Sequence, residues 1–429
     1  MKVIFRPEKC EWKKISVRPM LNSDFLEQKV SEILRRVKQE GDRALKELIA
    51  EYDGVQLDSF VVSDEEYIEA EEQVEAELKN AINVAKNNIQ KFHTAQAEEV
   101  KVIETTKGVF CWRKSVPIQK VGFYIPAGSA PLFSTVLMLA IPAKIAGCEE
   151  IIMCSPADKN GKVNPTTLYA AKICGVKKVF KIGGAQAIGA MAFGTETVPK
   201  VYKIFGPGNQ FVTEAKRQVT KYDVAIDIPA GPSEVAVLAD ETADPAFVAA
   251  DLLSQAEHGV DSQVILVTTS DKIISEVLAE LEKQIEILPR REIAKKALEN
   301  SKAILFDDLD LAVDFLNEYA PEHLILAVDQ AEEIAEKIIN AGSVFVGHYS
   351  CESAGDYASG TNHTLPTNGY AKIFSGVSLD SFVKKITFQK LTSEGICNLG
   401  DTIQIMAEAE GLHAHKVAVS VRLNKLMKS

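Results

Sequence analysis

The sequence predicts an α/β protein built from two tandem Rossmann-like units, each a parallel sheet with helices on its faces. From Val121 onward short apolar runs alternate with helical stretches, the rhythm of strand, crossover helix, strand. This alternation runs through two successive series, 121–219 and 234–346. At 429 residues the chain is also longer than one ordinary core accommodates.

A helical region of about 100 residues precedes the first series. Asn22-Ser23 is suited to cap a helix running to Gly41, and Ser63-Asp-Glu-Glu66 is a capping box ahead of a long helix reaching Gln96. Between 100 and 126, β-type runs are broken by Thr106-Lys107-Gly108, a hairpin turn. The first series has strands at 121–125, 150–154, 179–182 and 202–205. Its helices lie at 132–146, 166–174, 186–193 and 209–219, the first two closed by Gly147 and Gly175. In the second series a strand at 234–238 leads to Asp244-Pro245, an N-cap with proline at the first helical position, and a helix that stops at Gly259. Then come a strand at 263–268, a helix at 272–287, a strand at 303–306, helices at 309–319 and 330–340, and a strand at 343–346. No internal sequence repeat and no Pro/Gly/Ser-rich linker separates the units. The tail from Gly376 is too small to bury a core alone and is expected to pack on another part of the protein or on a second copy. The division expected is 1–123 with 235–375 as one discontinuous α/β domain, 124–234 as a second, and 376–429 as a small C-terminal segment.

Bulk properties narrow the function. Hydrophobic content of 46% and charged content of 25% are those of an ordinary soluble globular protein. A net charge of −12 argues against a nucleic-acid partner, which wants a basic face. No apolar run reaches the length of a membrane span, and the N-terminus lacks the apolar core of a secretory signal. The seven cysteines are scattered, with no C-x-x-C, so neither a cysteine zinc site nor a disulfide framework is expected, and a reducing cytoplasm suits them.

The chemistry-bearing residues lie in the second half. Four of the seven histidines stand near acidic or amide side chains: His258 after Gln255, His323 after Glu322, His363 after Asp356, and His415 after Glu410. Gln255 and His258 are three apart on an expected helix and so share a face. An imidazole, carboxylate and amide set suits zinc better than the oxygen cages of calcium or magnesium. Spacing alone leaves this set open, because a lone histidine is more often a hydrogen-bonded structural residue. His93, His348 and His413 take that reading. Glu322 and His323 are adjacent and point in different directions, as two separate proton transfers require; an exposed Glu beside a half-buried His in a loop is the plainer alternative. No G-x-G-x-x-G is present. Ile182-Gly-Gly-Ala-Gln186 and Phe205-Gly-Pro-Gly-Asn209 are glycine turns after strands, where backbone N–H groups can approach phosphate, though such turns are also routine chain geometry.

Taken together, several segments resemble the histidinol dehydrogenase family. They are Val121-Gly-Phe-Tyr-Ile-Pro-Ala-Gly128, Ser-Ala-Pro-Leu-Phe-Ser134, the two glycine turns, Ile226-Asp-Ile-Pro-Ala-Gly-Pro-Ser-Glu234, and Ser254-Gln-Ala-Glu-His258. The resemblance runs from Val121 to His415, with small departures at Ala127 and Val260, where Gly and Pro are expected. It implies oxidation of L-histidinol to L-histidine in two NAD-dependent steps through an aldehyde, the last step of histidine biosynthesis, by a cytoplasmic homodimer. It places one zinc per subunit on Gln255, His258, Asp356 and His415, and NAD against Tyr124, Gln186 and Asn209. Glu322 and His323 match the family's acid–base residues. Ser233, His363 and Glu410 are implied to hold the substrate together with the zinc and base residues, with Glu410 and His415 supplied by the other subunit through an exchanged C-terminal segment.

Two other classes are weighed against this. A zinc/NAD dehydrogenase of another small polar or amino alcohol keeps the metal set and base but changes the residues that read imidazole and amine, against which His363 and Glu410 stand. A metallohydrolase has no use for Tyr124, Gln186 and Asn209, and a binding protein on an old enzyme scaffold would be expected to have lost Glu322 or His323.

Overall fold

The computed structural model describes residues 1–19, 23–127, 131–229 and 231–428. The strands in chain order are β1 (Lys2–Phe5), β2 (Val102–Thr106), β3 (Val109–Pro117), β4 (Lys120–Tyr124), β5 (Glu150–Cys154), β6 (Lys178–Phe180), β7 (Lys203–Phe205), β8 (Ala225–Ile226), β9 (Glu234–Ala239), β10 (Gln263–Thr268), β11 (Lys302–Leu305), β12 (His323–Ala327), β13 (Ser343–Val346) and β14 (Val383–Leu391).

Two parallel sheets carry the fold, as expected. One has the order β6-β5-β4-β7-β8, the other β1-β11-β10-β9-β12-β13. Counted from β4 and from β9, both read 3-2-1-4-5, the doubly wound succession, so a topological repeat exists where no sequence repeat is visible. Every residue of β9 and β10 is buried, because helices cover both sides. The pleat divides each sheet between two cores. Val121, Phe123, Met153 and Phe205 face one way, Tyr124, Ile152, Cys154 and Ile204 the other. In the larger sheet Val235, Val237 and Ile325 oppose Ala236, Leu238 and Leu324.

Local chemistry sets the helix ends. Ser63 accepts from Glu66 N–H while Glu66 reaches back to Ser63 N–H, the expected capping box. Asp244 caps Pro245–Ala256 with proline at the first position. The expected cap at Asn22, and the Ser23 side chain, lie outside the described residues; the helix runs Ser23–Glu40.

Several elements differ from the sequence pattern. The long helix expected up to Gln96 is two, Asp64–Gln73 and Ala76–Thr94, because Val74 turns extended and buries itself in the core. The helix expected over 330–340 shrinks to Ala331–Ala335. Beyond it the chain tightens through Lys337 and Ile338, and Asn317 Oδ1 takes the N–H groups of Ile339 and Asn340. The helix expected to stop at Gly259 ends at Ala256, leaving His258 in the turn beyond it, held by a bond from its N–H to Gln255 O (3.2 Å). Strands β1 and β12 and the helix Arg291–Glu299 have no counterpart in the sequence reading.

Contacts divide the chain into a large unit, 1–96 with 118–382, and a small one, 97–117 with 383–429. The small unit is an antiparallel sheet, β14-β3-β2, followed by helices Ser393–Ala409 and His413–Leu426. Trp112 stacks on Phe388 across its strands, and Thr392 caps the first helix through Gly395 N–H. Its helices bury little beyond Gly395, Gly400, Ala407 and Val419, while Ile405 and Met406 are 70% and 60% exposed. No helix among the described residues is long and apolar enough to cross a membrane.

Candidate active site

The large unit uses opposite ends of its two sheets. Glu234 and His323 begin β9 and β12, which lie side by side with His323 paired to Val235. Tyr124 ends β4, and the turns after β6 and β7 carry Gln186 and Asn209. A cleft of about 490 Å³ is lined by Gly206, Pro207 and Asn209 from the smaller sheet and by Ser233, His258, Glu322 and His363 from the amino end of the larger.

Glu322 and His323 are buried and anchored. Glu322 Oε2 accepts the backbone N–H of Glu234 at 2.8 Å. His323 Nδ1 lies 3.2 Å from Glu234 O, to which it donates, and 3.1 Å from Gln255 Nε2. Gln255 Nε2 itself donates to Glu234 O at 3.0 Å. Both side chains are thus fixed by the one backbone segment at Glu234. That segment is clamped in turn: Arg18 makes two bonds to the Glu234 carboxylate (3.1 and 2.9 Å) and lies over the Tyr319 ring. The free face of His323, Nε2, stands 3.4 Å from Asp356 Oδ1, and neither atom has a hydrogen-bond partner.

Asp356 belongs to a metal-sized cluster. Ligand atoms of His258, Glu352 and Asp356 lie within 4.8 Å of one another. Gln255 Oε1 is buried without a partner. Two carboxylates and an imidazole, with one Glu352 and one Asp356 oxygen orphaned, fit a divalent cation such as zinc. Glu352 was absent from the sequence reading, although it stands four residues before Asp356 on Glu352–Tyr357, on the same face. Burial drives Glu352 well above the ordinary carboxyl range and Glu322 up to about 8. Burial also opposes charge on His323, but the Glu352, Glu322 and Asp356 carboxyls outweigh it and raise the imidazole to about 10. One imidazole among three acids favours its proton. His258 is exposed at the cleft mouth yet enclosed on its other sides, and this enclosure lowers its basicity despite Asp356.

His363 donates from Nδ1 to Asp356 O (2.8 Å) and turns Nε2 to Thr135 Oγ1 (3.0 Å); burial lowers its basicity despite Asp356. Asn209 caps Gln210–Val219, its Oδ1 accepting Val212 N–H at 3.1 Å. Tyr124 and Gln186 are buried at the carboxyl ends of β4 and β6. The Tyr124 hydroxyl accepts Gly184 N–H at 3.1 Å, and Gln186 Nε2 has no partner. Gly206 adopts φ +123°, and a Cβ there would stand 2.0 Å from Tyr124 O, so only glycine fits this turn. Glu410 and His415 lie in the small unit and are exposed, as is His413. His93 is buried on Ile89 O, and His348 lies 3.3 Å from Thr242 Oγ1.

A buried ion pair locks the turn after β7. Lys216 Nζ pairs with Asp227 and donates to Gly206 O, while Asp227 accepts Gly206 N–H (2.7 Å). Lys216→Met leaves that carboxylate without its counter-ion, which costs about 3–5 kcal/mol. The denaturant midpoint of the variant should fall accordingly; an unchanged midpoint would show the pair to be dispensable.

The known proteins this chain resembles decide its affiliation. The sequence model described as histidinol dehydrogenase matches residues 16–423. The chain belongs to the histidinol dehydrogenase family. It is 59% identical over 428 residues to the histidinol dehydrogenase of Bacteroides fragilis, covering 100% of both chains. It is 54% identical over 417 residues to that of Haemophilus influenzae, covering 97% of each. The crystal structure of histidinol dehydrogenase from Elizabethkingia anophelis superposes with a TM-score of 0.97 at 55% identity, covering 99% of this chain and 98% of that one. Histidinol dehydrogenase is an NAD-dependent, zinc-binding oxidoreductase, and the carboxylate–imidazole cluster is a candidate site for such a metal.

Proposed function

We propose that Glu322 and His323 carry the proton transfers by which this chain oxidises L-histidinol to L-histidine through an aldehyde, the last step of histidine biosynthesis. The observation that carries this assignment is the orphaned His323 Nε2 beside Asp356, with Nδ1 held by Glu234 O. An imidazole fixed by one nitrogen and open at the other is placed to take the alcohol proton and later that of the hydrated aldehyde. Glu322, held by its own N–H donor, activates the water that hydrates the aldehyde.

Gln255, His258 and Asp356 hold zinc with the partner subunit's His415, and Glu352 lies within reach of the same ion. Bound zinc supplies a Lewis-acidic anchor for the imidazole and amino nitrogens of the substrate. Its charge also opposes the proton that the surrounding acids would otherwise keep on His323. Ser233, His363 and the partner subunit's Glu410 hold the remaining polar groups. Tyr124, Gln186 and Asn209, within 124–234, receive NAD, which supplies the hydride acceptor. The exposure of Glu410 and His415 in their own chain supports a homodimer with an exchanged segment 376–429. All seven cysteines are unpaired, which supports a cytoplasmic location.

The test is NADH absorbance with L-histidinol, with and without chelator. Two NADH per histidinol are expected, with turnover lost to the chelator and partly restored by Zn²⁺, Mn²⁺ or Co²⁺. Full activity in metal-free protein would overturn the metal assignment.

A further inference from the structure

One carboxylate at the carboxyl edge of the five-stranded sheet has no hydrogen-bond partner among the described residues. Asp53 is the C-cap residue of the helix Asp42–Tyr52. Its Oδ2 is buried without a partner. A Cβ added at Gly183, in the turn after β6, would stand 3.2 Å from Asp53 Oδ1 and 2.8 Å from Pro156 Cβ, so the carboxylate sits directly on that turn. Gln186, 1% exposed with its Nε2 unpartnered, and the Tyr124 hydroxyl occupy the same turn. Ser155, fully buried just past β5, has an unpartnered Oγ. Unused donors and acceptors therefore gather at the carboxyl ends of β4, β5 and β6. Pro156 and Ala157 also line a second cavity, of about 410 Å³.

In a sheet ordered 3-2-1-4-5, this edge is where a dinucleotide lies, and an acidic residue in this region commonly takes the ribose hydroxyls. The acid that follows β5 here, Asp158, is already used: its Oδ1 accepts Asn160 N–H (2.8 Å) and Lys162 N–H (2.9 Å), and its Oδ2 the Asn160 amide. Asp53 is the carboxylate left over. We propose that Asp53 accepts a ribose diol of bound NAD and thereby sets the preference for NAD over its 2′-phosphorylated form. A diol donates two hydrogen bonds to a carboxylate. A 2′-phosphate has no comparable donors, and it brings like charge to a half-buried group that no salt bridge neutralises.

This inference rests on the reading that Gln186 and its neighbours hold NAD, and the experiment separates the two. NAD and NADP are titrated into the zinc-loaded enzyme by calorimetry, with wild type, Asp53→Asn, Asp53→Ala and Gln186→Leu. Among the described residues the Asp53 side chain has no hydrogen-bond partner, so both its variants should fold. Loss of hydrogen bonds to a charged group weakens binding by about tenfold to a hundredfold. The Asp53 variants should therefore lose NAD affinity by about that factor while NADP affinity holds or improves, and the preference for NAD should collapse. Gln186→Leu should weaken both dinucleotides alike. If Gln186→Leu does so and the Asp53 variants keep wild-type NAD affinity and preference, the role of Asp53 is refuted and the cofactor reading stands. If neither residue affects either dinucleotide, both are refuted.

Discussion

His323→Asn is expected to slow both oxidation steps by about 10²–10⁴-fold, the range for loss of a positioned general base. Each step releases a proton as the substrate carbon is oxidised, and His323 Nε2 is the open nitrogen beside Asp356. Glu322→Gln should behave differently. The amide keeps the shape and an oxygen able to accept the Glu234 N–H, so the anchoring bond at 2.8 Å can survive. What is lost is the capacity to take a proton from water. Alcohol oxidation consumes no water, and aldehyde oxidation requires the hydrate. The first step should therefore survive in part and the second slow more. Single-turnover NADH formation, from histidinol and separately from the aldehyde, distinguishes the steps. Equal damage to both in Glu322→Gln would overturn the division of labour and leave the dehydrogenase assignment standing.

Much of this site was legible because its signals are short-range. The glycine turns announced themselves as βα junctions, and Gly206 does adopt the strained backbone that excludes a side chain. The pair Glu322-His323 was also visible, but the strand that His323 opens was not. A proline followed by two polar residues reads as a loop, and only burial between β9 and β13 makes the following residues a strand. Glu352 escaped notice because its neighbours carry no motif; burial beside Asp356 gives it meaning. Arg18 and Asp53 were invisible for a related reason. Each meets a residue more than a hundred positions away, Glu234 and Gly183, and local pattern carries no trace of such a meeting. The placement of the amino end of one sheet against the carboxyl end of the other is likewise a tertiary fact. Nor does periodicity join the hairpin β2–β3 to the tail, although β14 pairs with β3 along its whole length.

The largest all-or-none effect should come from mixing two inactive variants. His258→Ala and His415→Ala each remove one donor of the proposed zinc set, and each alone should lose bound metal and turnover while keeping the wild-type circular dichroism. The small unit that carries His415 buries few of its own apolar side chains, which is what a segment covered by a second copy would show. If the site draws its ligands from two chains, a mixed dimer holds one site lacking both histidines and one lacking neither. Random subunit exchange makes about half the dimers mixed, so about a quarter of wild-type sites should return. Zinc content should recover in the same proportion, a readout independent of turnover. A chain ending before Ile403 keeps His258 but cannot supply His415 and should lose metal and turnover alone; mixing it with His258→Ala should return sites only where the shortened tail still lets the mixed dimer form. No recovery of metal or activity after verified exchange of the two point variants would mean that each site is built within a single chain, and the exchanged segment would have to be abandoned.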